Sequence, residues 1–482
     1  MTERYVCIHG HFYQPPRENP WTGSVDEEAS ASPWHDWNER ITDECYAPNA
    51  GPPSNYERLS FDVGPTLMQW LERERPDVHR AMVAADGEGG RLLGGRGGAM
   101  AQAYNHMILP LANDRDRRTQ VRWGAADFEH RFGRKSEGMW LPETAVDMPT
   151  LEALVDEGIR FTVLAPHQAD QVRRADAEGW SVAENGMAEE GAYRQVLSSG
   201  RDIAVFFYDG ALSRAVAFDG LLHDGGEYAR RLRTAAGSGL EPRLISVATD
   251  GESYGHHHAH GEMALARALD EVDRDPEVCL TTFAAYLDRH PPHADVRIVE
   301  DSSWSCSHGV SRWTGACECG SPDGASVSWR QPLRAALDGL RDGLALRFEQ
   351  VGERLLRDPW AARNDYVRCL LDPSRDMRED FLAVHGTSRS AGEPAFSLLE
   401  QQRYAMLMFT SCGWFFDDPE GLEPRQVLRY AARALDVSGD APGTMQLARD
   451  FQRALGPLAS FFARVIEQDR PAGEAGVSWP VP

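Results

Sequence analysis

Apolar residues gather in short runs through the first three-fifths of the chain, and chemically capable polar residues follow them closely. The runs fall at residues 5–9, 138–141, 161–164, 203–208, 244–248 and 296–299. Several are continuously apolar, as strands covered on both faces tend to be. Helix-length segments lie between them, at 150–158, 227–236 and 262–274. Such alternation predicts parallel β/α architecture. His9, His11, Glu143, His167, Gln168, Asp209 and Asp250 stand at the ends of the runs. In a β/α barrel the C-terminal ends of the strands carry the site.

From about residue 328 the period changes. Leu333, Leu337, Leu340, Leu344, Phe348, Val351 and Leu355 repeat at steps of three and four, the stripe of one long amphipathic helix. Further helices are predicted at 360–371, 394–410, 424–436 and 443–467. No long Pro/Gly/Ser linker precedes them, which favours a helical bundle packed on the first domain over a tethered module. The expected division is a catalytic α/β barrel at 1–325, a C-terminal helical domain at 326–468 and a flexible tail at 469–482. The glycine-rich stretch 87–98 reads as a flexible loop, without the lysine of a phosphate-binding loop.

Charge and composition narrow the function. No apolar run in the 482 residues approaches the roughly 18 that cross a membrane. The first residues enter a strand pattern at once, with no basic region or small-residue cleavage site, so the expected location is cytoplasmic. A net charge of −24 disfavours nucleic acid as partner, whose phosphates call for Lys/Arg patches. Lys135 is the only lysine; coding bias and adaptation to salt account for that equally well. Eight cysteines are too few for a disulfide framework in a chain this long. Cys7, Cys45, Cys279, Cys369 and Cys412 are scattered and read as small buried hydrophobes.

Three segments could carry chemistry. His9 and His11, two apart on a strand, point the same way and could bind a metal or a sugar's hydroxyls, with one of them a hydrogen-bonded core histidine as the equal alternative. Glu143 follows an apolar strand and a proline, with Trp140 beside it, a placement suited to a nucleophile; a helix-start carboxylate is the plainer alternative. Asp250 closes another strand, with Gly251 and Gly255 leaving room for a turn or a close ligand. The three histidines from His256 to His258 fit a solvated run as well as a metal site. Two carboxylates at a barrel mouth are the minimum for glycoside hydrolysis, one attacking and one protonating the leaving oxygen.

Five segments in one order carry a resemblance: His9-Gly-His11-Phe-Tyr-Gln-Pro; Tyr104-Asn-His106-Met-Ile-Leu-Pro-Leu111; Trp123-Gly-Ala-Ala-Asp-Phe with Gly138-Met-Trp-Leu-Pro-Glu143; Asp250-Gly-Glu-Ser-Tyr-Gly-His256; and Ser303-Trp-Ser-Cys-Ser-His-Gly-Val-Ser-Arg-Trp313. Together they resemble family 57 of the glycoside hydrolases, retaining enzymes active on α-glucans. The resemblance implies a distorted seven-fold (β/α) barrel with no cofactor needed for catalysis. It implies Glu143 as nucleophile, Asp250 as general acid/base, and an α-glucan or maltooligosaccharide as substrate. It places His11 and His106 along the sugar site, with Trp140, Trp304 and Trp313 as stacking platforms; His9 and His256 are read as further substrate-binding residues. Phe12 and Tyr13 interrupt the family's more usual His-x-His-Gln-Pro. The pattern more closely resembles a bacterial branch with an extra C-terminal region of unknown function, seen here in 358–366 and 408–418. Within that region Trp414 and Asp417 fit a buried cluster better than a substrate contact.

Cys306, His308, Cys317 and Cys319 form a compact set of soft ligands, a candidate structural zinc site. Reduced thiols, with His308 turned to the sugar, are the alternative. Two other function classes remain open. One is a metal-dependent, polysaccharide deacetylase-like hydrolase with an ion on His9, His11, Asp250 and His256. The other is a glucan-binding protein without catalysis.

Overall fold

The computed structural model describes residues 4–174, 177–183, 191–237, 242–315, 317, 319, 327–388, 392–439 and 442–471. Twelve strands are assigned among them: β1 (Arg4–Phe12), β2 (Ser60–Val63), β3 (Ala99–Gln102), β4 (Met139–Trp140), β5 (Phe161–Leu164), β6 (Ala169–Arg174), β7 (Ser181–Val182), β8 (Ala192–Val196), β9 (Asp202–Phe207), β10 (Arg243–Asp250), β11 (Cys279–Leu280) and β12 (Ala294–Ile298). The chain forms two compact units. The first comprises Met1–Gln14, Glu27–Tyr104 and Phe128–Ser305; the second comprises Pro15–Asp26, Asn105–Asp127 and Cys306–Pro482.

The first unit is a distorted seven-stranded (β/α) barrel. Parallel pairing runs β10-β1-β2-β3-β4 and, separately, β5-β9. A parallel bridge between Gly138 and Phe161 joins β4 to β5, and the amide of Asp209 donates to Ser246 O at 2.7 Å, joining the end of β9 to β10. Those two links close the ring. Gly138 is required at the first link, because a Cβ there would lie 2.3 Å from the Phe161 ring. All nine residues of β1 are buried, which is why its sequence shows no clear alternation. Inside the barrel pack Tyr5, Cys7, Met100, Trp140, Phe161 and Phe206.

Sequence and structure differ at several points. The run at 296–299 is not a barrel stave. It supplies β12, antiparallel to β6 and parallel to β8 in a mixed sheet that grows from the β5–β9 connection. The glycine-rich stretch is no flexible loop in its first half, since a helix spans Pro76–Leu92. Its glycines permit close packing: a Cβ on Gly89 would lie 2.7 Å from Glu57 O. Cys7, Cys45 and Cys369 are buried as expected of small hydrophobes, whereas Cys279 is exposed and Cys412 half-buried.

The second unit is built on the helix Arg330–Leu355. Leu333, Leu337, Leu340, Leu344 and Phe348 of the expected stripe are buried, with Val351 and Leu355 half-buried. Helices Gly392–Leu407 and Leu422–Asp436 follow. The expected long helix at 443–467 is divided into Pro442–Ala454 and Ala459–Asp469 by Gly456 and Pro457. Residues 472–482 of the expected tail lie outside the described residues. The segment 105–127 belongs to this unit through a buried ion pair, Arg363 Nη1 to Asp116 Oδ1 at 2.6 Å, supported by Thr119 and Gln402. Trp123 Nε1 donates to Asn364 O at 3.1 Å in the same seam. No helix among the described residues is long and apolar enough to cross a membrane.

Removing one partner of a buried pair leaves the other charge stranded, at about 3–5 kcal/mol. Asp116→Ala is therefore expected to lower the urea midpoint for the second unit, and Asp116→Leu with Arg363→Met to recover much of it. Tryptophan fluorescence follows the transition; equal midpoints for wild type and Asp116→Ala would contradict the assignment.

Candidate active site

The loop after β4 is the most constrained backbone around the barrel mouth. Leu141 and Pro142 end the strand, and the chain then passes through two consecutive left-handed residues, Glu143 (φ 58°) and Thr144 (φ 48°). Such conformations cost about 1–3 kcal/mol each without glycine and cluster at functional sites. Gln168 holds the turn. Its Oε1 accepts from Thr144 Oγ1 and the Ala165 amide at 2.8 and 2.9 Å, and its Nε2 donates to Thr144 O and Ser302 Oγ at 2.8 and 3.0 Å. From the other side the amides of Val146 and Trp304 donate to Ser302 O and Glu143 O.

The turn drives the Glu143 carboxyl into a buried position, with 9% of the residue exposed. One oxygen, Oε2, accepts from Trp304 Nε1 at 3.0 Å and from Ser305 Oγ at 2.6 Å. Burial pushes its pKa upward, and the negative charge of Asp250 adds to that. The bonds from Ser305 and Trp304 and the charge of His11 pull it back. Those opposed influences tune one carboxyl. Asp250, the last residue of β10, is exposed. Two carboxyls thus differ sharply in surroundings, the condition for separate acid and nucleophile roles.

His9 and His11 do share one face of β1, as their spacing requires. In register, β2 sets Ser60 opposite His9 and Asp62 opposite His11, while β10 sets Asp250 opposite His11. Asp62, fully buried, joins the pair: Oδ1 lies 3.0 Å from His9 Nε2, and Oδ2 accepts from His11 Nδ1 at 2.9 Å. His9 Nδ1 is also 3.0 Å from Ser60 Oγ. Burial lowers the pKa of His9 despite Asp62. Burial opposes charge on His11 too, but Asp62, Asp250 and Glu252 overcome it and raise the pKa to about 9. One imidazole is therefore neutral and its neighbour cationic at neutral pH.

The aromatic residues divide. Trp140 is fully buried, stacked on His9 and His11 at centroid distances of 4.7 and 5.1 Å. Trp313 is also buried, its Nε1 donating to Ser411 O. Neither is the exposed platform expected from sequence, because each ring is enclosed by its own unit. Trp304 keeps partial exposure, edge-on to Trp140 at 5.2 Å. Trp414, expected in a buried cluster, is buried and bonded to Arg330 O.

His256 Nδ1 pairs with Glu44. His106, left-handed at φ 52°, lies in the second unit, where Nδ1 meets Ser411 Oγ and its carbonyl accepts from the Ser411 amide. Asp209 is a helix N-cap, accepting from the Leu212 amide, and His167 Nε2 donates to Ser303 O. Gly251 and Gly255 make room for protein and not for a ligand. A Cβ on either would strike the Phe12 ring or Glu44 O, both at 2.3 Å.

Three residues escaped the sequence reading. Asp62 sits in a four-residue strand too short to stand out. Ser305 looks like an ordinary loop residue. Glu252, two after Asp250, is fully buried; it accepts from the Tyr13 amide and the Tyr46 hydroxyl. Burial first, and Asp250 second, raise its pKa to about 7. The Asp-x-Glu spacing on a turn was the one visible signal for it.

Comparison with known proteins gives the class. The chain belongs to glycosyl hydrolase family 57, whose profile matches residues 54–298, half of the chain. A second profile, described as a domain of unknown function (DUF3536), matches residues 326–465. No curated protein sequence matches. Among solved structures, the fold is similar to an exo-type maltose-forming amylase from Pyrococcus sp. ST04, at TM-score 0.69 and 15% identity, covering 96% of this chain and 83% of that one. It is similar also to a family 57 branching enzyme from Thermococcus kodakaraensis, at TM-score 0.59 and 16% identity over 99% and 97% of the two chains. A 4-α-glucanotransferase from Thermococcus litoralis aligns at TM-score 0.56 and 15% identity, over 90% of this chain and 60% of that one.

The raised pKa of His11 has a consequence for stability. Its ordinary value is 6.5, and in the fold it is about 9. Protonation therefore stabilises the fold fully below pH 6.5, and that contribution, on the order of 3 kcal/mol, is lost as pH rises through 9. Denaturant unfolding between pH 6 and about 9.5 is expected to weaken in wild type and to be flatter in His11→Gln. Parallel curves would refute the coupling.

Proposed function

We propose that this protein is a retaining α-glucan hydrolase or transglycosylase, with Glu143 as nucleophile and Asp250 as general acid/base. The observation that carries the assignment is the buried Glu143 carboxyl, fixed on a left-handed turn with two donors on a single oxygen. Family membership supplies the reaction class, and the amylase, branching enzyme and glucanotransferase among the structural neighbours support α-glucans as substrate.

In this reading Trp304 and Ser305 hold Oε2, and Oε1 attacks the anomeric carbon. Asp250 gives its proton to the departing glycosidic oxygen, and a β-glycosyl ester forms on Glu143. Asp250 then takes the proton of the incoming hydroxyl, of water or of a second glucan, as that oxygen displaces Glu143 and restores the α configuration. The cationic His11 offsets the two carboxylates. His11 and His256 address sugar hydroxyls, whereas His9 is buried with both nitrogens held by Ser60 and Asp62, and Trp304 offers the partly exposed ring face. The substrate, a maltooligosaccharide or longer α-glucan, is met in the cytoplasm, without membrane or nucleic acid. The one inorganic ligand in the proposal is a structural zinc on Cys306, His308, Cys317 and Cys319, with no part in bond cleavage.

The deacetylase-like reading fits less well. It needs His9, His11, Asp250 and His256 around one ion, yet Ser60 and Asp62 engage both nitrogens of His9, and Glu44 engages His256. Among the described residues, those four do not gather into a metal-ligating group.

Product analysis on maltooligosaccharides and amylose separates hydrolysis, disproportionation and branching. Glu143→Gln is expected to lower kcat by about 10⁴-fold or more, and Asp250→Asn by about 10²–10⁴-fold. With an activated glycosyl donor, Asp250→Asn should accumulate a glycosyl ester on Glu143, visible in the mass of its peptide. Full activity in Glu143→Gln would end the assignment, and glucan binding without turnover by wild type would favour a non-catalytic role.

The donors on Oε2 make a separate prediction. Each bond favours the ionised carboxylate, and a hydrogen bond to a charged group contributes about 1.5–3 kcal/mol. Trp304→Phe and Ser305→Ala should each move the acidic limb of the kcat/KM profile upward by about one pH unit or more. An unmoved limb with reduced kcat would assign them to packing alone.

A further inference from the structure

The second unit contains a grouping of side chains that glycoside chemistry does not use. Cys306, His308, Cys317 and Cys319 each direct one ligand atom to a common region, and the four atoms lie within 4.8 Å of one another. Cys306 Sγ is 3.4 Å from Cys317 Sγ. His308 Nδ1 is 3.3 Å from Cys317 Sγ and 3.1 Å from Cys319 Sγ. Tetrahedral zinc, with Zn–S near 2.3 Å and Zn–N near 2.0–2.1 Å, sets S···S edges of about 3.8 Å and S···N edges of about 3.5 Å. The measured edges lie close to those values. They are far beyond the roughly 2.05 Å of a disulfide, and all of these cysteines are free thiols.

The surroundings match the same ligand. The amide of Cys319 donates to Cys317 Sγ at 3.1 Å, and Ser307 Oγ lies 3.5 Å from Cys319 Sγ. Donors on sulfur are what a metal-bound thiolate requires. A divalent ion on three thiolates and a neutral imidazole carries one net negative charge. Arg330, its side chain wholly buried, donates Nη1 to Cys317 O at 3.2 Å and also bonds Asp417 and the carbonyls of Phe415 and Phe416. The guanidinium thus stands beside the ligand set and links it to the start of the helix Arg330–Leu355.

We propose that Cys306, His308, Cys317 and Cys319 hold one structural zinc ion in this protein. Three soft thiolates exclude magnesium and calcium, which take oxygen ligands. Four protein ligands leave no open position, so the ion ties the chain and does not activate water. Binding releases three thiol protons to solvent while His308 Nδ1 contributes its lone pair. Ser305, a donor to Glu143, is peptide-bonded to Cys306, so the ion fixes the chain one residue from that donor.

The test uses the full chain purified in reductant, refilled with zinc, and freed of excess metal by gel filtration. Elemental analysis is expected to find about one zinc per chain, with Cys317→Ser/Cys319→Ser holding at least about tenfold less. Should the double variant fail to fold, cobalt(II) loaded into wild type decides. A thiolate-to-cobalt charge-transfer band with intense tetrahedral d–d absorption supports the site; a weak octahedral spectrum overturns it. Absence of zinc from refilled wild type also overturns it, as does full retention by a folded double variant. Because metal content is read without substrate, this result stands apart from the outcome at Glu143.

Discussion

Burial of the Glu143 carboxyl is the constraint around which the barrel mouth is arranged. A carboxylate leaving water loses its hydration and must be compensated by donors or by charge. Here Trp304 and Ser305 supply two donors to one oxygen and His11 supplies positive charge, while Asp250 acts against ionisation. The compensation is deliberately incomplete, in the sense that the net shift stays upward. Two left-handed residues in succession carry the carboxyl into position, and Gln168 and Ser302 hold that strained backbone in place.

Asp62 performs a similar service across the barrel. By bonding both His9 and His11 it fixes two imidazoles whose charges then diverge. The inner one is kept neutral by burial, and the outer one is charged because Asp250 and Glu252 also face it. Trp140 lies against both rings and closes their apolar side. Of the acidic groups around His11, Asp250 is the one exposed to solvent.

The C-terminal region is integrated with the family 57 segment 105–127. Arg363 reaches Asp116, Asn364 meets Trp123, and Ser411 holds His106. Through Ser411 the region matched by the domain of unknown function orders His106. The long stripe of leucines from Leu333 to Phe348 supplies the core on which those contacts rest.

Much of this was legible from local pattern. Continuous apolar runs located the main barrel strands, three-and-four spacing located the long helix, and ordered motifs singled out Glu143 and Asp250 as the candidate pair. Strand period alone put His9 and His11 on one face. What the pattern concealed depended on partners distant in sequence. Asp62 acquires its role through β1–β2 register, and Ser305 through a bond across 162 residues of chain, counted from Glu143. Trp140 and Trp313 resembled platforms because sequence reports ring chemistry and not enclosure. The run at 296–299 joined the mixed sheet because its pairing was settled by β6 and β8. Local sequence determined which residues could do chemistry and in which elements they stand, since periodicity and turn residues act over a few positions. Only the tertiary structure decided the charge and exposure of each group, because desolvation and hydrogen bonding are set by whatever the fold brings against it.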